Sequence, residues 1–121
     1  MEQQQISYEK VPARAPSKQM QCVIMVLTAD AELARVSASH VDCHNETIHW
    51  QGIFKSYLSP GLKAAALLAY ALWTDEMKPK SNFFDLALGM ENDLKVACLT
   101  ALGMRWGINF SSDIDEKRGL Q

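Results

Sequence analysis

Three histidines fall within ten residues, His40, His44 and His49, with Asp42 and Cys43 among them. Imidazole nitrogens and a carboxylate oxygen are a legitimate zinc ligand set, so this stretch carries the residue types for a metal. On an extended chain alternate side chains share a face, which projects His40, Asp42 and His44 together. A two-residue hairpin loop at Asn45 and Glu46 sets His49 opposite Asp42 on that face, with Val41, Cys43, Ile48 and Trp50 turned to the core. The candidate metal ligands are therefore His40, Asp42, His44 and His49, and the set stands or falls with the hairpin register. A metal-dependent enzyme built on this strand is one function class. Val36 and Ala38 share the histidine face and favour a plainer reading, a solvent-facing strand surface. A pH-sensitive contact surface is a third.

Other chemistry is poorly represented. Cys43 and His44 are sequence neighbours and point to opposite faces of a strand, so they form no nucleophile–base pair. No Gly-x-Ser-x-Gly run occurs. The paired carboxylates Asp75–Glu76 and Asp113, Asp115 and Glu116 fall at a helix end and in a polar tail, where solvated charge is their role. The stretch from Gly103 to Gly107 lacks the strand before it and the Lys-Ser/Thr ending of a phosphate loop. No catalytic residue is nominated and no cofactor is expected.

The elements that would position these residues follow from pattern. Residues 1–19 are polar, with Pro12 and Pro16, and read as a flexible N-terminal arm in which only Ile6, Tyr8 and Val11 alternate. The run from Met20 to Thr28 is continuously apolar and rich in Val and Ile, which predicts a strand covered on both faces. Residues 33–44 alternate small and β-branched types and predict a second strand. Residues 47–57 place Ile48, Trp50, Gly52 and Phe54 on one face of a third. At Ser59-Pro60-Gly61 the period changes: Ser59 suits an N-cap and Pro60 a first helical position. A helix over residues 60–76 follows, apolar nearly all round, with Pro79 breaking it. Further helices are expected over 82–89 and 92–105, with Gly89 either between two helices or inside one. Residues 111–121 form a polar C-terminal tail. The expected fold class is α+β: a three-stranded antiparallel β-meander followed by two or three helices packed on one face, in one domain over residues 20–110.

Composition narrows the function. A chain of 121 residues with 48% hydrophobic content suffices for one core. The cysteines Cys22, Cys43 and Cys98 are odd in number and fit no disulfide framework, which implies reduced thiols and a cytoplasmic setting. The first residues show no basic segment followed by an apolar one, so no secretory leader is expected. The longest apolar run, 64–73, is about half of a membrane span, so no membrane partner is expected.

A net charge of −2 and a pI near 5.9 disfavour bulk capture of nucleic acid. That partner would need Lys55, Lys63, Lys78, Lys80 and Arg105 to converge, beside aromatics able to stack on bases. The β-β-β-α order ending in Lys63 and its Ala/Leu run resembles a double-stranded-RNA-binding domain, without that module's first helix and lysine cluster. The segment from Asp93 to Met104, with Asp113 and Asp115 beyond it, is similar to the ending of phage single-strand annealing proteins, without their arginine and tyrosine pair. Such resemblances imply a nucleic-acid-binding or annealing protein as the alternative.

The leading expectation is a small non-enzymatic binding module that occupies a surface of a protein partner. A regulator, inhibitor or accessory protein, of phage or mobile-element type, has this character. Apolar surface in excess on the 60–76 helix is its positive basis. Leu62, Leu67, Leu68, Leu72 and Trp73 are the expected interaction residues, and a homodimer is the simplest way to cover them.

Overall fold

The computed structural model describes residues 16–78 and 82–108. It overturns the three-stranded meander: the chain is mostly helical, with two short antiparallel strands. Among the described residues six helices follow in the order α1 (Lys18–Leu27), α2 (Ala31–Ser37), α3 (Trp50–Lys55), α4 (Pro60–Thr74), α5 (Phe83–Ala87) and α6 (Asn92–Arg105). A 3-10 turn over Ala38–His40 leads into β1 (Val41–Asp42), which pairs with β2 (Thr47–Ile48) ahead of α3.

The expected first strand, 20–28, is α1. Its Val and Ile residues favour strands only weakly, and packing on several sides overrides that preference. Met20, Cys22, Val23, Ile24, Val26 and Leu27 are all buried, which spreads around a helix and has no two-residue period. The helix also has its start signal, because the Ser17 hydroxyl accepts from the Met20 N–H at 3.1 Å. Ser17 belongs to the fold: its N–H and hydroxyl both donate to the Glu46 carboxylate, at 2.9 and 2.8 Å. Residues 1–15 of the expected arm lie outside the described residues, as do 109–121, which include the expected tail.

The expected second strand, 33–44, is mostly α2 and the 3-10 turn, with β1 at its end. Asp30 caps α2, one carboxylate oxygen accepting from Glu32 N–H at 2.9 Å and Leu33 N–H at 3.1 Å. Of the expected third strand, 47–57, only Thr47 and Ile48 are extended; Trp50 to Lys55 are α3.

The expected helix at 60–76 is α4, Pro60–Thr74, with Pro60 in its first turn and Asp75 in left-handed conformation at φ 64° closing it. Between α5 and α6, Leu88, Gly89 and Met90 form a turn, so Gly89 separates two helices. The core lies along α4, whose Ala64, Ala65, Ala66, Leu67, Leu68, Ala69 and Leu72 are buried against α1, α3, α5 and α6. Small alanines let helix axes approach closely. Backbone meets backbone at Gly61, where an added Cβ would stand 2.6 Å from the Gly89 carbonyl oxygen. That contact seats the start of α4 on the α5–α6 turn. A second cluster, Met20, Ile24 and Cys43, joins α1 to the hairpin.

Candidate functional site

Val41 pairs with Ile48 and Asp42 with Thr47, so the connection is four residues, 43–46, and not the expected two. Shifting the register by two leaves His49 on the same side but moves it opposite His40, and His49 N–H donates to the His40 carbonyl at 2.7 Å. His44 falls in the turn. The Asp42 carboxylate accepts from the Asn45 backbone and side chain, at 3.1 and 2.8 Å. Those bonds, the side-chain one foremost, hold its pKa below the ordinary carboxylate value.

Only His40 and His49 meet, edge to face at 5.5 Å between ring centroids. Among the described residues no three of His, Cys, Asp and Glu are grouped to hold a metal ion, so the four-residue ligand set is not assembled. The His40 ring packs where a Cβ on residue 52 would sit, so a side chain there would displace the ring from the hairpin–α3 junction.

The expected interaction residues on α4 serve the core. Leu67 and Leu72 are each 3% exposed, Leu68 is also buried, and Leu62 and Trp73 pack partly buried against the same cluster. Exposed apolar surface lies elsewhere. On α6, Leu94, Cys98 and Ala101 face inward, while Val96 and Leu99 are each 61% exposed and Trp106 just beyond is 69% exposed. Phe84 and Leu88, one helical turn apart at α5, are exposed as well. The expectation fixed on α4 passed over α6 because Lys95 and Thr100 interleave its apolar residues and break the sequence run.

A groove of about 520 Å³ lies beside α6, lined by Pro16, Gln21, Ile24, Met25, Thr28 and Met104. Methionine side chains adapt to varied partners, and here one comes from α1 and one from α6. A second cleft, about 490 Å³, opens where α2, α4 and α6 begin and carries Asp30, Glu32, Glu91 and Asp93. Two of these acids have intrachain tasks, Asp30 as the α2 cap and Glu32 in an ion pair with Arg35 at 3.1 Å.

The candidate cations are in part engaged within the chain. Arg105 bridges to Asp75 at 2.9 Å and donates to the Leu72 carbonyl at 3.3 Å, tying the ends of α4 and α6 together. Lys78 stands over the rings of Phe54 and Tyr70. Lys55 ends α3 and Lys63 lies in the first turn of α4; Lys80 is outside the described residues.

The three thiols are free and buried. Burial raises the pKa of all three, Cys98 to about 11, and for Cys43 the charges of Asp42 and Glu46 add to it. A thiol held protonated is a poor nucleophile. Among the described residues no helix is long and apolar enough to cross a membrane. No family model, no curated protein and no solved structure matches the chain.

Proposed function

We propose that this chain is a small non-enzymatic binding module that acts by occupying a surface of a protein partner, with the outward face of α6 as its contact. The observation that carries this reading is the pair Val96 and Leu99, each 61% exposed on a helix whose opposite face is already in the core. Two methyl-bearing side chains one turn apart offer the i, i+3 anchors that protein grooves and helices accept. Trp106 extends the stripe, and tryptophan is prominent among residues that dominate binding energy. Met25 and Met104 in the groove beside α6 supply an adaptable flank. A second copy of the chain is the simplest partner for such a stripe, and sedimentation at roughly tens of micromolar separates a homodimer from a monomer awaiting another protein.

Affinity purification from the native host with mass spectrometry tests the reading, using the full chain and a Val96→Glu, Leu99→Glu double variant, with and without nuclease. The proposal expects a protein catch that is nuclease-resistant and is lost in the variant, while the variant melts at the wild-type temperature. An unchanged catch in the variant contradicts it. A catch lost only on nuclease treatment replaces it with the nucleic-acid alternative.

A further inference from the structure

At the junction of α3 and α4 the chain gathers aromatic rings and sets a cation on them. Trp50 and Phe54, one turn apart on α3, stack with centroids 6.1 Å apart. Tyr70 of α4 meets both edge-on, at 5.4 Å from Trp50 and 5.9 Å from Phe54. The Phe54 and Tyr70 planes stand 72° apart and form a corner, with Trp50 in contact with both rings. Lys78, four residues past the end of α4, returns to place its Nζ in that corner, 5.0 Å from the Phe54 centroid and 4.9 Å from the Tyr70 centroid. Both distances lie inside the range in which a ring quadrupole attracts a positive charge. Among the described residues Lys78 is in no ion pair, so ring faces and not a carboxylate meet its charge.

That combination is selective. A primary ammonium is a strongly hydrated donor of three hydrogen bonds, and a corner made of ring faces answers none of them well. A methylated ammonium donates few or none and spreads its charge over methyl groups that pack on ring faces, which is why aromatic cages suit it. A lysine side chain also loses rotamer freedom when held, which offsets part of its attraction to the rings.

We propose that the Phe54–Tyr70 corner, with Trp50 in contact with both rings, is a binding site for a methylated ammonium group, and that Lys78 is its built-in competitor. The site is separate from the α6 face and stands without it. Displacement of Lys78 by such a ligand frees the start of the segment between α4 and α5, so occupancy of the corner would be felt there.

The test is an NMR titration of the Phe54 and Tyr70 ring resonances in the full chain, in wild type, Lys78→Ala and Lys78→Arg. Tetramethylammonium chloride is the first probe, with sodium chloride at equal ionic strength as reference. The expected result is a saturable shift in the millimolar range that sodium does not produce. Affinity should be about two- to five-fold tighter in Lys78→Ala than in wild type, as removal of an exposed cation–π competitor implies. Lys78→Arg keeps a resident cation and should bind no tighter than wild type. Parallel titrations with choline and with a trimethyl-lysine peptide against its unmethylated form then distinguish a small-molecule source from a protein tail. Absence of any saturable ring shift in Lys78→Ala overturns the site, and equal affinity in wild type and Lys78→Ala overturns the role of Lys78.

Discussion

Helices α4 and α6 are nearly equal in length, 15 and 14 residues, and both are rich in alanine and leucine, yet the fold treats them differently. α4 is covered by α1, α3, α5 and α6, and its leucines are spent inside the chain. α6 packs chiefly on α1 and α4, and Val96 and Leu99 are left facing out. An apolar helix is therefore a weak pointer to an interface; what matters is how many neighbours the topology supplies. α4 looks more like a binding helix in the sequence, and α6 is the one with a face to offer.

The largest effect that separates the two helices is a truncation on each. Leu72→Ala should cost about 2–5 kcal/mol of unfolding free energy, because it leaves a cavity in the core. Leu99→Ala should fall within about 0.5 kcal/mol of wild type. Urea unfolding of both variants checks the pair, and comparable losses would erase the distinction.

Next comes the inward face of α6. Burial raises the Cys98 thiol from 9.0 to about 11, so the folded chain holds its proton more tightly than the unfolded chain does. The stability tied to that proton is fully present below about pH 9 and is lost as pH rises through about 11, on the order of 2–3 kcal/mol. Cys98→Ala should flatten this part of the alkaline loss. Denaturant midpoints at pH 8 to 11 read the difference, and identical slopes in the two proteins would contradict it.

At the start of α4, Gly61→Ala drives a methyl toward the Gly89 carbonyl, 2.6 Å away with no flexible side chain to yield. A loss of about 1–3 kcal/mol is expected from such overpacking, read as a lowered melting temperature. The smallest effect joins the two helices at their ends. Asp75→Asn removes the charge partner of Arg105 while asparagine tolerates the left-handed backbone at φ 64°. Asp75 is exposed and Arg105 partly so, and the change should be under about 1 kcal/mol and shrink further in salt.

The legible parts of the sequence were those where backbone chemistry speaks locally. Ser59-Pro60 marks the first turn of α4, and the stretch from Asn92 begins α6. In the first half of the chain the β-branched residues in 20–28 point to a strand, against two capping signals, Ser17 and Asp30, whose side chains take the free N–H groups of α1 and α2. Whether a run of valine and isoleucine winds or extends depends on neighbours on every side, and those neighbours, α4 and α6, come some 40 to 80 residues later. The histidine cluster failed on register: Asp42 turns back to Asn45 and leaves only His40 and His49 in contact. The Phe54–Tyr70 corner was out of reach, since nothing in the spacing of Phe54, Tyr70 and Lys78 shows that α3 folds onto α4.

Hydroxyl-radical footprinting of the full chain, read residue by residue by mass spectrometry, tests the contrast between the helices most directly. The account predicts ready oxidation of Val96, Leu99 and Trp106 and strong protection of Leu67, Leu68 and Leu72 in the free protein, with the α6 residues becoming protected once the captured partner is added. Equal protection of Leu99 and Leu68 in a monomeric sample, or α6 residues that stay reactive in the complex, would contradict it.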